Sequence, residues 1–167
     1  KGHFHFIGIG GIGMSAIAKA LLIKGHSISG SDLIKNKETI ELEKLGAIIF
    51  NSQVKKNIDY VNLKFKKKKI YFIVSSAIKS GNPELNYCKK NNLSIKHRSE
   101  ILAIIMKSYF SLAITGSHGK TSTSTFLSTL LELCTNNSST ITGGIIPIYK
   151  SNAHIEDTKY LVAEIDE

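Results

Sequence analysis

The chain has 167 residues, 42% hydrophobic and 21% charged, with a mean hydropathy near zero. That is enough apolar side chain to bury a core, and it excludes a disordered tail. No apolar run approaches the ~18 residues of a membrane-spanning helix. The N-terminus lacks the basic, apolar and small-residue order of a secretory signal, and the two cysteines, Cys88 and Cys134, form neither a disulfide framework nor a CxxC pair, so a cytoplasmic protein with no membrane insertion is expected. The formal net charge is +9, yet Arg98 is the one arginine among 22 lysines and arginines; bidentate base and phosphate readers are nearly absent, which argues against a nucleic-acid partner.

In chain order, strand and helix patterns alternate, as in a parallel α/β sheet. Residues 4–9 form an apolar run ending in glycines and predict a strand. Residues 12–23 carry Ile12, Ala16, Ala20 and Ile23 at helical spacing, ending at Gly25. Residues 27–31 predict a second strand, 37–45 a helix closed by Gly46, and 47–50 a third strand. The stretch 51–69 is polar and has no clear period; its run Lys66-Lys67-Lys68-Lys69 reads as a solvated loop. A strand is predicted over 70–75, a helix from Pro83 to about residue 90, a short strand over 94–96 and a helix over 100–106. A second unit then begins with a strand at 112–115, a tight loop at 116–119 and a helix over 120–133. Further strands are predicted at 139–142, before Gly143-Gly144, and at 160–164. The expected boundary falls at residues 107/108. The second unit, 108–167, is too short for a whole nucleotide-binding sheet, so the chain is expected to be a fragment.

Gly8-Ile9-Gly10-Gly11-Ile12-Gly13 satisfies G-x-G-x-x-G between a strand and a helix. Gly8 suits the tight turn, Gly10 a close approach of the backbone to a pyrophosphate, and Gly13 close helix–strand packing; the helix N-terminus then holds the anion. Asp32 follows Gly13 by 19 residues, at the end of the second strand, where an acid reaches a ribose hydroxyl. By itself this predicts a diphosphate-bearing nucleotide without saying which, and an NAD-dependent oxidoreductase is one reading.

Thr115-Gly116-Ser117-His118-Gly119-Lys120-Thr121 follows an apolar strand and opens a helix. It ends as a P-loop does, although Ile114 stands where the strict pattern has its first glycine. Backbone N–H groups here suit a triphosphate, Lys120 its β- and γ-phosphates, and the Thr121 hydroxyl a Mg²⁺ ion. His118 reads as a loop residue near the phosphates. A dehydrogenase has no use for the second loop and a simple ATPase none for the first. The economical reading gives ATP to the second unit and a substrate carrying a nucleoside diphosphate to the first.

The residues His5 to Ser15 with Ser29-Gly30-Ser31-Asp32, then Val74-Ser75-Ser76-Ala77-Ile78, Asn82-Pro83-Glu84 and Arg98-Ser99-Glu100, resemble the Mur ligase family, in its alanine-adding branch. Gly116 to Thr123, Gly143-Gly144 and Ala163-Glu164-Ile165-Asp166-Glu167 continue the resemblance in the same order. The resemblance implies a Rossmann-like UDP-sugar-binding domain followed by the start of a P-loop-type ATP-binding domain. It implies ATP- and Mg²⁺-dependent ligation of L-alanine to UDP-N-acetylmuramate through an acyl phosphate, in peptidoglycan precursor synthesis. Carried over by position, Gly8, Gly10, Gly11, Gly13, Met14, Ser31, Asp32, Ser75 and Ser76 line the UDP-sugar site. Gly116, Ser117, His118, Gly119, Lys120, Thr121 and Ser122 hold ATP. Lys120, Thr121 and Glu164 serve catalysis, with Thr121 and Glu164 as Mg²⁺ ligands. Asp166 and Glu167 are weaker candidates, and Arg98 either meets a carboxylate or phosphate or pairs with a neighbouring acid. A murein tripeptide ligase of the same family is the alternative substrate reading, and a non-catalytic nucleotide-binding module is another. The fragment is expected to bind the UDP-sugar without completing the ligation.

Overall fold

The structure, a computed structural model, describes residues 1–165, so Asp166 and Glu167 lie outside the described residues. It divides into two compact units, Lys1–Arg98 and Ser99–Glu167, separating after Arg98 rather than after Lys107.

The first unit runs β1 (His3–Ile7), α1 (Ile12–Ile23), β2 (Ser27–Ser31), α2 (Lys37–Lys44), β3 (Ile48–Phe50), α3 (Lys55–Lys64), β4 (Ile70–Val74), α4 (Pro83–Lys90) and β5 (Ile95–His97). All five strands pair in parallel, in the order β3-β2-β1-β4-β5, which is the α/β sheet expected. The chain works outward from β1 to β3, then returns to β4 on the other side of β1. The loops leaving β1 and β4 therefore diverge at a topological switch point, where sheets of this kind open a crevice.

Helix α3 lies within the stretch 51–69 that the sequence left unplaced. Only Asn57, Ile58 and Val61 are buried on it, a stripe too narrow to announce itself among lysines. It still completes the core: Ile58 and Val61 pack with Phe72 and Cys88, flanked by Phe50 and Phe65. Burial, and then the charge of Glu84, push the Cys88 thiol up to about 12, so that side chain behaves as an inert apolar group.

Strand β1 is central and buried throughout, so both of its faces must be satisfied. Phe4 stacks on Tyr71 on one face. On the other, His3 and His5 alternate beside aromatic rings, His3 stacking on Phe65 at 3.6 Å between centroids. These histidines stay buried because β2 sets serines opposite them in register, His3 to Ser27 and His5 to Ser29. The hydrogen bonds are His3 Nδ1 to Ser27 Oγ at 2.9 Å, His3 Nε2 to Ser29 Oγ at 2.8 Å and His5 Nδ1 to Ser29 Oγ at 2.8 Å. Across the sheet, Lys19 is almost fully buried, with its ammonium 2.7 Å from carboxylate oxygens of both Glu38 and Glu41, which ties α1 to α2.

Burial, and then His5, Lys68 and Lys64, lower His3 to about 3. The folded ring is neutral while an unfolded one titrates near 6.5. The unfolded chain therefore binds the extra proton between those values, and stability contributed above pH 6.5 is lost as pH falls toward 3, at up to about 1.4 kcal/mol per pH unit from this group. Urea midpoints at pH 7 and pH 5 should show the fall, and a His3→Phe variant should show a shallower one. An equal slope in both proteins would refute the assignment.

The second unit contains most of α5 (Arg98–Met106), then β6 (Phe110–Ile114), α6 (Lys120–Thr135), β7 (Ser139–Ile146), β8 (Ser151–His154) and β9 (Tyr160–Glu164). Its sheet order is β6-β9-β7-β8. Strands β6, β9 and β7 are parallel, but β8 pairs antiparallel to β7. The expected run of parallel strands thus ends in a β-hairpin that the sequence reading missed: Ser151-Asn152-Ala153-His154 carries no β-branched residue, although Asn152 and Ala153 are buried.

Candidate functional sites

In the first unit the glycine loop joins β1 to α1. Gly8 takes φ +81°, a left-handed turn that other residues resist, and a Cβ there would lie 2.8 Å from Ile78 Cδ1. Three successive loop amides are held by the end of β2. Gly8 N–H and Ile9 N–H donate to the Ser31 carbonyl at 2.8 and 3.0 Å, and Gly10 N–H donates to Asp32 Oδ2 at 2.8 Å. Asn36 Nδ2 donates to the Gly10 carbonyl at 2.9 Å while Asn36 also caps α2. A Cβ on Gly10 would lie 2.8 Å from Asp32 and 2.9 Å from Asn36, so this glycine is required by its protein neighbours. Asp32 is a loop organiser here, since its Oδ1 also accepts Ile34 N–H at 3.1 Å.

The loop amides being so held, the donors left to meet an anion would be those of the first turn of α1. The cap, Gly11, provides no side-chain bond, and the turn contains no acid, whereas α2 and α4 are capped by Asn36 and Asn82. Gly13 and Met14, the second and third helical residues, have no acceptor four residues back within the helix. Arg98 packs directly over Gly13, and a Cβ on Gly13 would collide with Nη1. A guanidinium is thus placed beside the same turn, an arrangement suited to a diphosphate. The sequence left Arg98 open between an anion and an acid; the contact with Gly13 was invisible to it because 85 positions of sequence separate residues 13 and 98.

Of the remaining residues assigned to this site, Ser75 and Ser76 follow β4 at the switch point, with Ser75 half-buried and Ser76 exposed. Ser31 is fully buried and gives its hydroxyl hydrogen to Glu84 Oε2, so it acts through the loop.

In the second unit, strand pairing sets Glu164 opposite Ile114, the residue before Thr115, and Ile165 N–H donates to the Ile114 carbonyl at 2.9 Å. Gly116 and Gly119 have φ of +143° and +75°. Helix α6 starts on Gly119 with no side-chain cap and no acid in its first turn. Lys120 Nζ donates to the Gly116 carbonyl at 2.7 Å, folding over the loop. Ser117, His118 and Ser122 are exposed. The Thr121 hydroxyl stands 3.5 Å from Glu164 Oε2, so the two residues expected to share a metal come together. Gly143 N–H donates to the same oxygen at 2.9 Å, and a Cβ on Gly144 would lie 2.6 Å from Thr121 Cγ2. The glycine pair therefore serves to let β7 close on this corner.

Glu164 Oε1 is buried with no hydrogen-bond partner. A carboxylate oxygen held in that way is costly, and a hard cation bound by oxygen ligands satisfies it. Glu164, Thr121 and phosphate oxygens fit Mg²⁺, which takes one or two carboxylates along with substrate phosphates rather than a protein cage. A groove of about 480 Å³ continues from Thr121 and Ser122 past Thr125, Phe126 and Ile145. A larger groove of about 650 Å³ between α3 and α4, lined by Val54, Tyr87 and Lys90 among others, contains no residue of either loop.

The catalytic-domain profile of the Mur ligase family matches residues 3–110. The chain belongs to the Mur ligase family. Among its curated relatives, the UDP-N-acetylmuramate–L-alanine ligase of Prochlorococcus marinus subsp. pastoris is 75% identical over 167 residues, which are the whole of this chain and 35% of that one. The enzyme of the same name from Dinoroseobacter shibae is 44% identical over 99% of this chain and 34% of its own. The chain therefore spans about a third of the length of these curated relatives. Among solved structures, the UDP-N-acetylmuramate–alanine ligase of Thermotoga maritima superposes with a TM-score of 0.85 at 28% identity, covering 98% of this chain and 37% of that one. The UDP-N-acetylmuramate:L-alanyl-γ-D-glutamyl-meso-diaminopimelate ligase of Neisseria superposes at 0.89 and 23% identity, over 99% of this chain and 53% of that one, a likeness of fold alone. This Mur ligase segment thus has the α/β architecture of its relatives, and no helix among its described residues is long and apolar enough to cross a membrane.

Proposed function

We propose that this chain is part of a cytoplasmic, ATP-dependent ligase that joins L-alanine to UDP-N-acetylmuramate in peptidoglycan precursor synthesis. The observation that carries the ligase chemistry is the meeting of Thr121 with Glu164, whose second carboxylate oxygen is buried and unpartnered. The choice of alanine rests on the 75% identity to an alanine ligase.

In this reading the first turn of α1, at Gly13 and Met14, holds the substrate diphosphate together with Arg98. Gly8, Gly10 and Gly11 shape the loop, Ser31 and Asp32 fix it, and Ser75 and Ser76 border the sugar side. Gly116 to Ser122 hold ATP by main-chain amides and hydroxyls. Lys120 neutralises charge on the transferred phosphoryl group, and Thr121 and Glu164 hold Mg²⁺. The metal, when bound, neutralises and orients the phosphates. The lactyl carboxylate of the substrate attacks the γ-phosphorus, releasing ADP and forming an acyl phosphate. The alanine amine then displaces inorganic phosphate and loses a proton as the amide forms. Charge neutralisation and positioning carry most of such a transfer.

The test is phosphate release by a chain of the relatives' full length, supplied with ATP, UDP-N-acetylmuramate and either L-alanine or the murein tripeptide. Turnover with alanine supports the assignment. Turnover with the tripeptide alone would replace it by the peptide-ligase reading.

A further inference from the structure

Below the first glycine loop lies a buried carboxylate that the ligation chemistry does not use. Glu84, in the first turn of α4, is fully buried. Its Oε2 accepts the Ser31 hydroxyl, and its Oε1 accepts Asn57 Nδ2 of α3 at 2.7 Å and faces His5 Nε2 of β1 at 3.7 Å. That one side chain therefore touches β1, β2 and α3 from α4. Its site is the end of the sheet from which both crevice loops leave. On one side Ser31 supplies the carbonyl that holds the Gly8 and Ile9 amides, and the next residue, Asp32, holds Gly10. On the other, α4 is led in by the loop carrying Ile78, which packs on Gly8.

We propose that Glu84 is the positioning residue of the first phosphate loop, anchoring the end of β2 and the start of α4 to one buried carboxylate so that the α1 amides keep a fixed aim. The part of this that concerns ligand affinity rests on the diphosphate reading of that loop. The carboxylate also orders the protons behind it. His5 Nε2 makes no hydrogen bond, and only an N–H at that position is compatible with a facing carboxylate. In a neutral His5 ring, Nδ1 then accepts from Ser29, Ser29 accepts from His3 Nε2–H, and His3 Nδ1 accepts from Ser27. The three nitrogen–oxygen contacts this order needs are present, at 2.8 to 2.9 Å. Glu84 thereby selects a single tautomer at both histidines.

Three readouts test this on the chain as it stands. In Glu84→Ala, amide exchange at Gly8, Ile9 and Gly10 in the ligand-free protein should accelerate at least tenfold, while the amides of α6 in the second unit keep their rates. Glu84→Gln retains one acceptor and should fall between. Nitrogen NMR of the imidazoles should show His5 as the Nε2–H form in the parent and as a tautomer mixture in Glu84→Ala. Affinity for UDP-N-acetylmuramate should drop at least tenfold in Glu84→Ala, with partial recovery in Glu84→Gln. If Glu84→Ala does not fold, Ser31→Ala cuts the same link and should accelerate Gly8 and Ile9 exchange. Unchanged loop exchange in a folded Glu84→Ala or Ser31→Ala protein overturns the proposal. Accelerated exchange in a chain whose parent does not bind the UDP-sugar would leave the positioning role standing and refute the substrate reading instead.

Discussion

Replacing Lys120 by alanine in a chain of the relatives' full length should lower ATP-driven turnover by about 10²–10³, the cost of removing one preorganised charge stabiliser from a transferring group. Affinity for UDP-N-acetylmuramate should stay within about twofold, because in the proposed reading Lys120 serves the transferred phosphoryl group and the first turn of α1 the substrate diphosphate. The side chain donates to the Gly116 carbonyl at 2.7 Å, so its loss also frees a loop already bent through two positive-φ glycines. Lys120→Arg keeps the charge but not the compact ammonium and should recover little. Initial rates of phosphate release and a separate titration of the UDP-sugar measure the two effects. Turnover within threefold of the parent would remove Lys120 from phosphoryl transfer.

Gly13→Ala should weaken UDP-N-acetylmuramate binding about ten- to a hundredfold, the range expected for disturbing one charge-assisted contact. The added methyl group would collide with Arg98 Nη1 and drive the guanidinium off the first turn of α1. The loss should come without a loss of stability, which the thermal midpoint measures alongside affinity. Residue 13 lies in the first turn of α1 with a helical backbone that alanine adopts freely, and the colliding atom ends a flexible side chain. The thermal midpoint should therefore hold or rise while affinity falls. Arg98→Ala should weaken binding in the same range, and adding Gly13→Ala to it should have little further effect, since the first change removes the atom the second displaces. Additive losses would show that Gly13 acts for another reason.

The parts of the fold that rest on strong local signals were legible. The two glycine turns announced themselves because glycines were needed for positive φ or for close approach, and apolar runs such as Ile70–Val74 read directly as strands. Helix α3 was lost because three buried positions among lysines make no visible period. Strand β8 was lost because its partner β7, not its own composition, makes it a strand. At the sites, the residue types were readable and their division of labour was not. Gly10 looked like a residue making room for a pyrophosphate, yet Asp32 and Asn36 are what crowd it. Ser31 and Asp32 read as lining the UDP-sugar site, and the bonds they make go to Glu84 and to the loop. Glu84 itself read as part of a helix start after Asn82-Pro83. The available signal was that Glu84, Leu85 and Cys88 share the buried side of α4, a place where an acid must have partners.

The claim beneath all of this is that the first glycine turn takes a uridylated sugar diphosphate rather than a nicotinamide dinucleotide. Isothermal titration of this chain with UDP-N-acetylmuramate and, separately, with NADH tests it most directly. The account predicts saturable one-to-one binding of the UDP-sugar that Gly13→Ala weakens, and no heat of binding from NADH. Saturable binding of NADH, or no binding of the UDP-sugar, would contradict it.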